Sequence, residues 1–161
     1  MAGDTVSWAD FEQADPRLAR RVQGRLDSHR HTILATLRAD GSPRLSGMEA
    51  PIRSGHLWLA MTPGSRKAVD LGRDPRFALH SAPDAEDLSE GDARIDGIAK
   101  PTDATEQDEF VTGHRYPIDD PSIMVLFAAM IRRVVLVRVS QHSLLIESWT
   151  PAGGRNTQRI Q

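Results

Sequence analysis

Leu57-Trp58-Leu59-Ala60-Met61 runs into Thr62-Pro63-Gly64-Ser65-Arg66-Lys67 and then into Ala68-Val69-Asp70-Leu71. The first run reads as a strand, the last as the opening of a helix, and the six residues between them as the junction. A Gly-Ser turn at a helix start presents free backbone N–H groups and the positive end of the helix dipole, which together suit an anion. Thr62 and Ser65 can add neutral hydrogen bonds from their hydroxyls. Arg66 and Lys67 add a guanidinium fork and a point charge, both matched to a phosphate. The hexapeptide therefore reads as a phosphate grip at a strand-to-helix junction. It also reads as a capped surface helix with solvated basic residues.

On either side of this junction the pattern is mostly β. Thr32 to Leu37 is a strand of good β-formers, and Asp40-Gly41 is a hairpin signal leading to a second strand from about Pro43 to Ile52. Ser54-Gly55 turns the chain into the His56–Met61 strand. Beyond the junction helix, Asp74-Pro75 breaks the chain before a strand at Arg76 to His80. Ala93 to Ala99, Arg133 to Val139 and Leu144 to Trp149 follow as strands, the last two as a hairpin. Helices are expected from Pro16 to about Arg30, with Leu18, Val22 and Leu26 on one face, and from Asp103 to His114. Arg17, Arg20, Arg21 and Arg25 read as a solvated face of the first. Asp84 to Asp92 reads as an exposed acidic loop, and His114-Arg115-Tyr116 as a cationic helix end. Residues 1–15 read as a loose arm that Trp8 and Phe11 could dock, and 16–161 as one domain. Ile123 to Ile131 is an apolar core strand, core helix or dimer surface. Short connections between antiparallel strands, with helices set apart, predict an α+β fold built on a six-stranded antiparallel barrel with peripheral helices.

The totals narrow the function classes. The chain has 161 residues, 39% apolar and 26% charged, with a net charge of −2. That suits one soluble domain with a real core and gives no electrostatic case for nucleic acid or an anionic membrane. Cysteine is absent, which excludes disulfides, thiolate metal sites and cysteine nucleophiles and fits a cytoplasmic location. The polar, acidic start carries no apolar signal-peptide core, and no apolar run is long enough to span a bilayer. The six histidines lack the spacing of a zinc-protease helix. His29-x-His31 reads as a surface turn before a metal site, so no metal is expected.

The strand, the Gly41-Ser42-Pro43 turn, the two further strands and the T-x-x-S-R-K sequence at Thr62 to Lys67 resemble the pyridoxamine 5′-phosphate oxidase superfamily, whose members are FMN-binding split barrels. Leu145-Ile146-Glu147-Ser148-Trp149, Gly153-Gly154-Arg155 and Arg159 carry the resemblance at the C-terminal end. It covers roughly Thr32 to Arg159. The resemblance implies that Thr62, Ser65, Arg66 and Lys67 hold a flavin phosphate and that Met61 sits beside the flavin. Trp149 and Arg159 would reach the same site from the other subunit, which implies a homodimer with the cofactor at its interface. Read without the resemblance, Trp149 is a core or interface anchor and Arg159 a solvated tail.

Departures from the oxidase are equally informative. A flavin-contacting arginine of the oxidase falls on Ser46, a substrate-phosphate lysine falls on Pro51, and the C-terminal R-x-H pair becomes Arg155-Asn156-Thr157. The chain is therefore expected not to oxidise pyridoxine phosphate. Loss of the arginine at Ser46 leaves FMN and the deazaflavin coenzyme as alternatives, with haem a further one, because the first two share a tricyclic ring and a phosphate. Backbone N–H groups from Ser46 through Gly47 to Met48 would then face the reduced ring, which carries negative charge. Gly47 reads as a place of close ligand approach or as a bulge. A small-molecule substrate would lie near His56, Met61 or the partner's tryptophan. The expected activity is that of an oxidoreductase moving hydride to or from that substrate. A carrier of flavin, deazaflavin or haem is the alternative, and a cofactor-free structural barrel a further one.

Overall fold

The computed structural model describes residues 4–83, 88–113 and 118–161. Part of the acidic loop and the whole of His114-Arg115-Tyr116 lie outside the described residues. Among the described residues, nine antiparallel strands and four α-helices make an α+β split barrel. The helices are α1 (Trp8–Ala14), α2 (Pro16–Asp27), α3 (Arg66–Arg73) and α4 (Ala104–Thr112). The strands are β1 (Thr32–Leu37), β2 (Pro43–Met48), β3 (Ile52–Arg53), β4 (His56–Met61), β5 (Arg76–His80), β6 (Asp92–Pro101), β7 (Val125–Ser140), β8 (Ser143–Thr150) and β9 (Gly154–Ile160).

The order across the sheet is β2-β1-β5-β6-β7-β4-β3, with β8 and β9 continuing from β7. The split originates in β7. One edge of this strand pairs with β6 along most of its length. Its other edge pairs with β4 over Val125 to Ala128 and with β8 over Val134 to Ser140. Between the two partners, Val6 and Ile131 exchange backbone hydrogen bonds of 2.9 and 2.7 Å. The strand bends at a register shift opposite Asp96 and Gly97. A Cβ on Gly97 would lie 2.1 Å from the Met130 carbonyl oxygen and 3.0 Å from the Phe77 ring, so only glycine lets the two strands approach there.

Three expectations change. The expected six-stranded barrel becomes a sheet of nine among the described residues: the seven strands read from the sequence are present, β3 and β9 are additional, and Ile123 to Val139 is mostly one long strand. Residues 8–14 are not a loose arm: Ser7 and Asp10 form a reciprocal capping box for α1, and Trp8 and Phe11 are buried in the core. The second strand stops at Met48 and resumes at Ile52. Pro51 in this gap has no N–H to donate to a ladder, and its carbonyl accepts instead from the Trp58 N–H at 2.9 Å.

On α2, Asp15 caps the Leu18 N–H at 3.0 Å, and Leu18, Val22 and Leu26 are buried as their spacing requires. Its basic face is not all solvated. Arg25 is buried, and Arg21 pairs with Glu147 of β8 at 2.5 Å. The main core joins α1, α2 and α3 to one face of the sheet. A smaller one, formed by Trp58, Phe110, Leu126 and Ala128, fixes α4 to the other side of β4 and β7. No helix among the described residues is long and apolar enough to cross a membrane.

Candidate functional site

At the end of β4 the chain turns at Gly64, whose φ of +73° suits glycine. The Ser65 N–H donates to the Thr62 carbonyl at 3.1 Å, and Arg66 opens α3. Ser65 is the N-cap residue, yet no side chain caps the helix. The Ser65 Oγ is buried and has no hydrogen-bond partner. A helix start with uncapped N–H groups and an orphaned hydroxyl beside it is chemically an acceptor-seeking site. Thr62 and Arg66 are exposed and Lys67 half-buried.

The helix is held in place from below. Asp70, only 3% exposed, accepts from the Thr36 hydroxyl of β1 at 2.9 Å and from Arg44 Nε of β2 at 2.7 Å, with Arg73 3.5 Å from its other oxygen. Burial raises the Asp70 carboxyl, but these bonds and charges outweigh it and hold the group below the usual carboxylate range. The junction thus stands on a buried polar network that spans α3, β1 and β2.

A cleft of about 870 Å³ opens beside it, toward the upper end of ordinary small-molecule sites, about 300–1,000 Å³. Gly47, Met48, Met61, Thr62 and Lys67 line it, so half of the sequence-predicted set converges there. Gly47 is no bulge: it pairs in regular register with Ile33, and nothing lies within 4 Å of the place its Cβ would occupy. Ser46 is half-buried opposite Leu34 and does not line the cleft. Ser65 and Arg66 belong to the adjoining helix start rather than to the cleft wall.

The C-terminal residues divide. Trp149 is 4% exposed and packs on Phe11, ring centroids 4.8 Å apart, so its ring is part of the core. Arg159 lies on β9, an exposed strand that among the described residues pairs on one edge only, opposite Leu145. Arg155 is spoken for: Nε reaches Asp15 Oδ2 at 2.7 Å and Nη1 lies 3.5 Å from Glu147. His56 stacks on Trp58 at 4.7 Å and does not line the cleft.

Sequence reasoning missed the far wall. Arg30 and His31 enter from the turn after α2, Arg53 from β3, and Phe110 and Gly113 from the end of α4. Arg53 was within reach of a local argument. It sits two residues beyond Pro51, and alternate strand positions share a face. Phe110 carried no such signal, because α4 reaches the cleft only through tertiary packing.

Similarity to known proteins bears on the fold and the family. No curated protein matches the sequence significantly. Among solved structures, PhzG from Burkholderia lata 383, in complex with tetrahydrophenazine-1-carboxylic acid, is 13% identical. That match covers 96% of this chain and 93% of PhzG, with a TM-score of 0.70. A pyridoxamine 5′-phosphate oxidase-related, FMN-binding protein from Nostoc punctiforme PCC 73102 is 14% identical, with coverages of 91% and 96% and a TM-score of 0.62. HutZ, the haem storage protein of Vibrio cholerae, is 20% identical, with coverages of 73% and 89% and a TM-score of 0.56. Likeness at this identity speaks for the fold. The family model for pyridoxamine 5′-phosphate oxidase matches residues 18–139, from α2 through the Gly64 turn to the end of β7, and with that span the chain belongs to the pyridoxamine 5′-phosphate oxidase family.

Proposed function

We propose that the cleft binds a flavin-type cofactor, FMN or the deazaflavin coenzyme, and that the protein is an oxidoreductase acting on a small molecule. The observation that carries this reading is the uncapped start of α3, with the orphaned Ser65 hydroxyl, at the mouth of a cleft lined by Lys67 and Thr62. These groups would take the cofactor's phosphate. The bound cofactor would supply the hydride chemistry. The protein's part is to grip the phosphate, to offer the open strand face at Gly47 and Met48 to the ring, and to close one side with Met61. An FMN-binding protein of the same fold supports the choice of ligand.

Oxidation of pyridoxine phosphate is not the activity we propose. Ser46 and Pro51 replace two ligand-binding positions of the oxidase, Thr157 cannot act as an imidazole, and Arg155 is committed to Asp15 and Glu147.

A homodimer with the site at its interface belongs to the same proposal. Leu45 is 71% and Ile33 37% exposed on the outward face of β1 and β2, an apolar surface suited to a second subunit. Arg159, on an open edge strand, remains the cross-subunit cofactor contact.

A carrier of haem is the second reading. His31 lines the cleft, an imidazole is an ordinary haem ligand, and a haem storage protein shares the fold. Titration of the purified protein with FMN, deazaflavin coenzyme and haem, followed by absorbance and fluorescence, separates the readings. Saturable FMN or deazaflavin binding that is lost in Arg66→Ala/Lys67→Ala supports the first. Binding of haem alone, lost in His31→Ala, replaces it with the second.

A further inference from the structure

α4 is tied to the protein more thinly than the other helices. α1 buries Trp8 and Phe11, α2 buries five residues and α3 three, whereas of the nine residues of α4 only Phe110 is buried. Its packing is also incomplete. A gap of about 20 Å³ lies between it and the start of β7, lined by Gln107, Phe110, Val111, Met124 and Leu126. A nine-residue helix is marginal by itself in water, and elements with few buried contacts are the first to open.

The end of α4 that borders the cleft is held from outside. Its last turn has no basic residue, and Gly113 at the C-cap has a φ of −82°, so no left-handed turn gathers up the final carbonyls. Arg53 of β3 supplies what the helix lacks. Nη1 donates to the Gly113 carbonyl, and the guanidinium lies over the Phe110 ring, 4.9 Å from its centroid. The cation thus meets both the negative end of the helix and the ring that anchors it. Glu109, one turn back, lies 3.9 Å from His56, which pairs with Arg53 across the β3–β4 turn, and Phe110 meets Trp58 edge-on at 5.6 Å. One hairpin therefore provides Arg53, His56 and Trp58, and its second strand runs on to Ala60 and Met61 in the cleft wall.

We infer that α4 is a movable wall of the cleft, that Arg53 is the positioning residue that latches it, and that a ligand enters and leaves on its release while a bound ligand favours the latched form. Phe110 and Gly113 line the cleft, so undocking α4 removes the far wall. A permanent wall would bury an apolar stripe, as α2 does. α4 instead has one buried ring and a charged latch, and its release uncovers little more than Phe110 and the part of Trp58 beneath it. Closure of this kind excludes water from a bound ligand and commonly sets the rate of its release. The inference goes beyond the proposed chemistry and rests on the cleft being the binding site.

The test is hydrogen–deuterium exchange of the full chain, with and without saturating FMN, on wild type, Arg53→Met and Arg53→Lys. In wild type without FMN, the amides of α4 are expected to exchange about tenfold or more faster than those of α2. Arg53→Met should speed exchange in α4 by about a further tenfold, the scale of a lost charged hydrogen bond, and leave α2 unchanged. Arg53→Lys keeps the cation but not the fork; it should fall between the two, and it carries the test should the methionine variant fail to fold. FMN should slow α4 exchange in wild type, and its release, followed by fluorescence, should be about tenfold faster from Arg53→Met. Exchange of α4 at the rate of α2, equal α4 exchange in wild type and variants, or bound FMN that leaves α4 exchange unchanged would each overturn the inference. Failure of FMN to bind any form would sink the cofactor reading alone, because the comparison of wild type and variants without FMN decides the latch by itself.

Discussion

Asp70 of α3 and Arg44 of β2 meet as a buried ion pair, Nε to Oδ2 at 2.7 Å, directly beneath the helix start that borders the cleft. The pair is what converts a surface helix into a fixed part of the sheet.

Breaking it leaves Arg44 half-buried and uncompensated. Asp70→Asn should cost about 3 kcal/mol of unfolding free energy at neutral pH. The Asp70 carboxyl is depressed in the folded chain, so its contribution is complete above the unfolded value, about 3.9, and is lost as pH falls through the lower folded value. Denaturant unfolding across acid pH should show the gap between wild type and variant narrowing below about pH 4. A gap that widens there would contradict the assignment.

Lys67 lines the cleft and Arg66 does not. Lys67→Ala should therefore weaken FMN or deazaflavin binding more than Arg66→Ala does, by about tenfold or more, as expected for a charge-assisted hydrogen bond. Fluorescence titration of the two single variants checks the order, and the reverse order would move the phosphate outward along the helix.

Phe11 joins the core through Trp8 on one side and Trp149 on the other, at centroid distances of 5.4 and 4.8 Å. Phe11→Ala should destabilise the protein by about 3–5 kcal/mol. Thermal unfolding with little change from wild type would restore the loose arm that the sequence suggests.

At Gly97 a methyl group has no place to go. Gly97→Ala must part β6 from β7 or tilt Phe77, and a loss of about 2–3 kcal/mol is expected. Gly47→Ala on β2 serves as the control. Its side chain would meet nothing within the protein, so stability should hold, and any loss of cofactor affinity would report ligand contact at that strand.

Legibility in the sequence followed the range of the signal. β1, β4 and β5 fall at the residues their β-former runs mark, and α3 starts where the Gly-Ser turn places it, because these are local preferences of a few residues. β7 was harder. Arg132 and Arg133 interrupt its apolar run at the bend and make one strand look like two. β9, Gly-Arg-Asn-Thr-Gln-Arg-Ile, is exposed almost throughout and has no alternation to reveal it. In the site, the near wall belongs to a contiguous motif and was readable, whereas the far wall of Arg53 and Phe110 exists only once α4 has docked on Trp58. The burial of Trp149 depends on a contact of similar range. A family position places a residue along the chain but does not say that Phe11 will cover its ring.

The seam at Val6 has a consequence for biosynthesis. Its partner, Ile131, leaves the ribosome only after most of the 161 residues have been made. Until then Val6 has no strand to pair with, and pairings of such sequence separation are slow to close. The segment around Val6 must therefore wait, with Trp8 and Phe11 uncovered, for a strand still to be translated, and apolar surface exposed in this way favours aggregation.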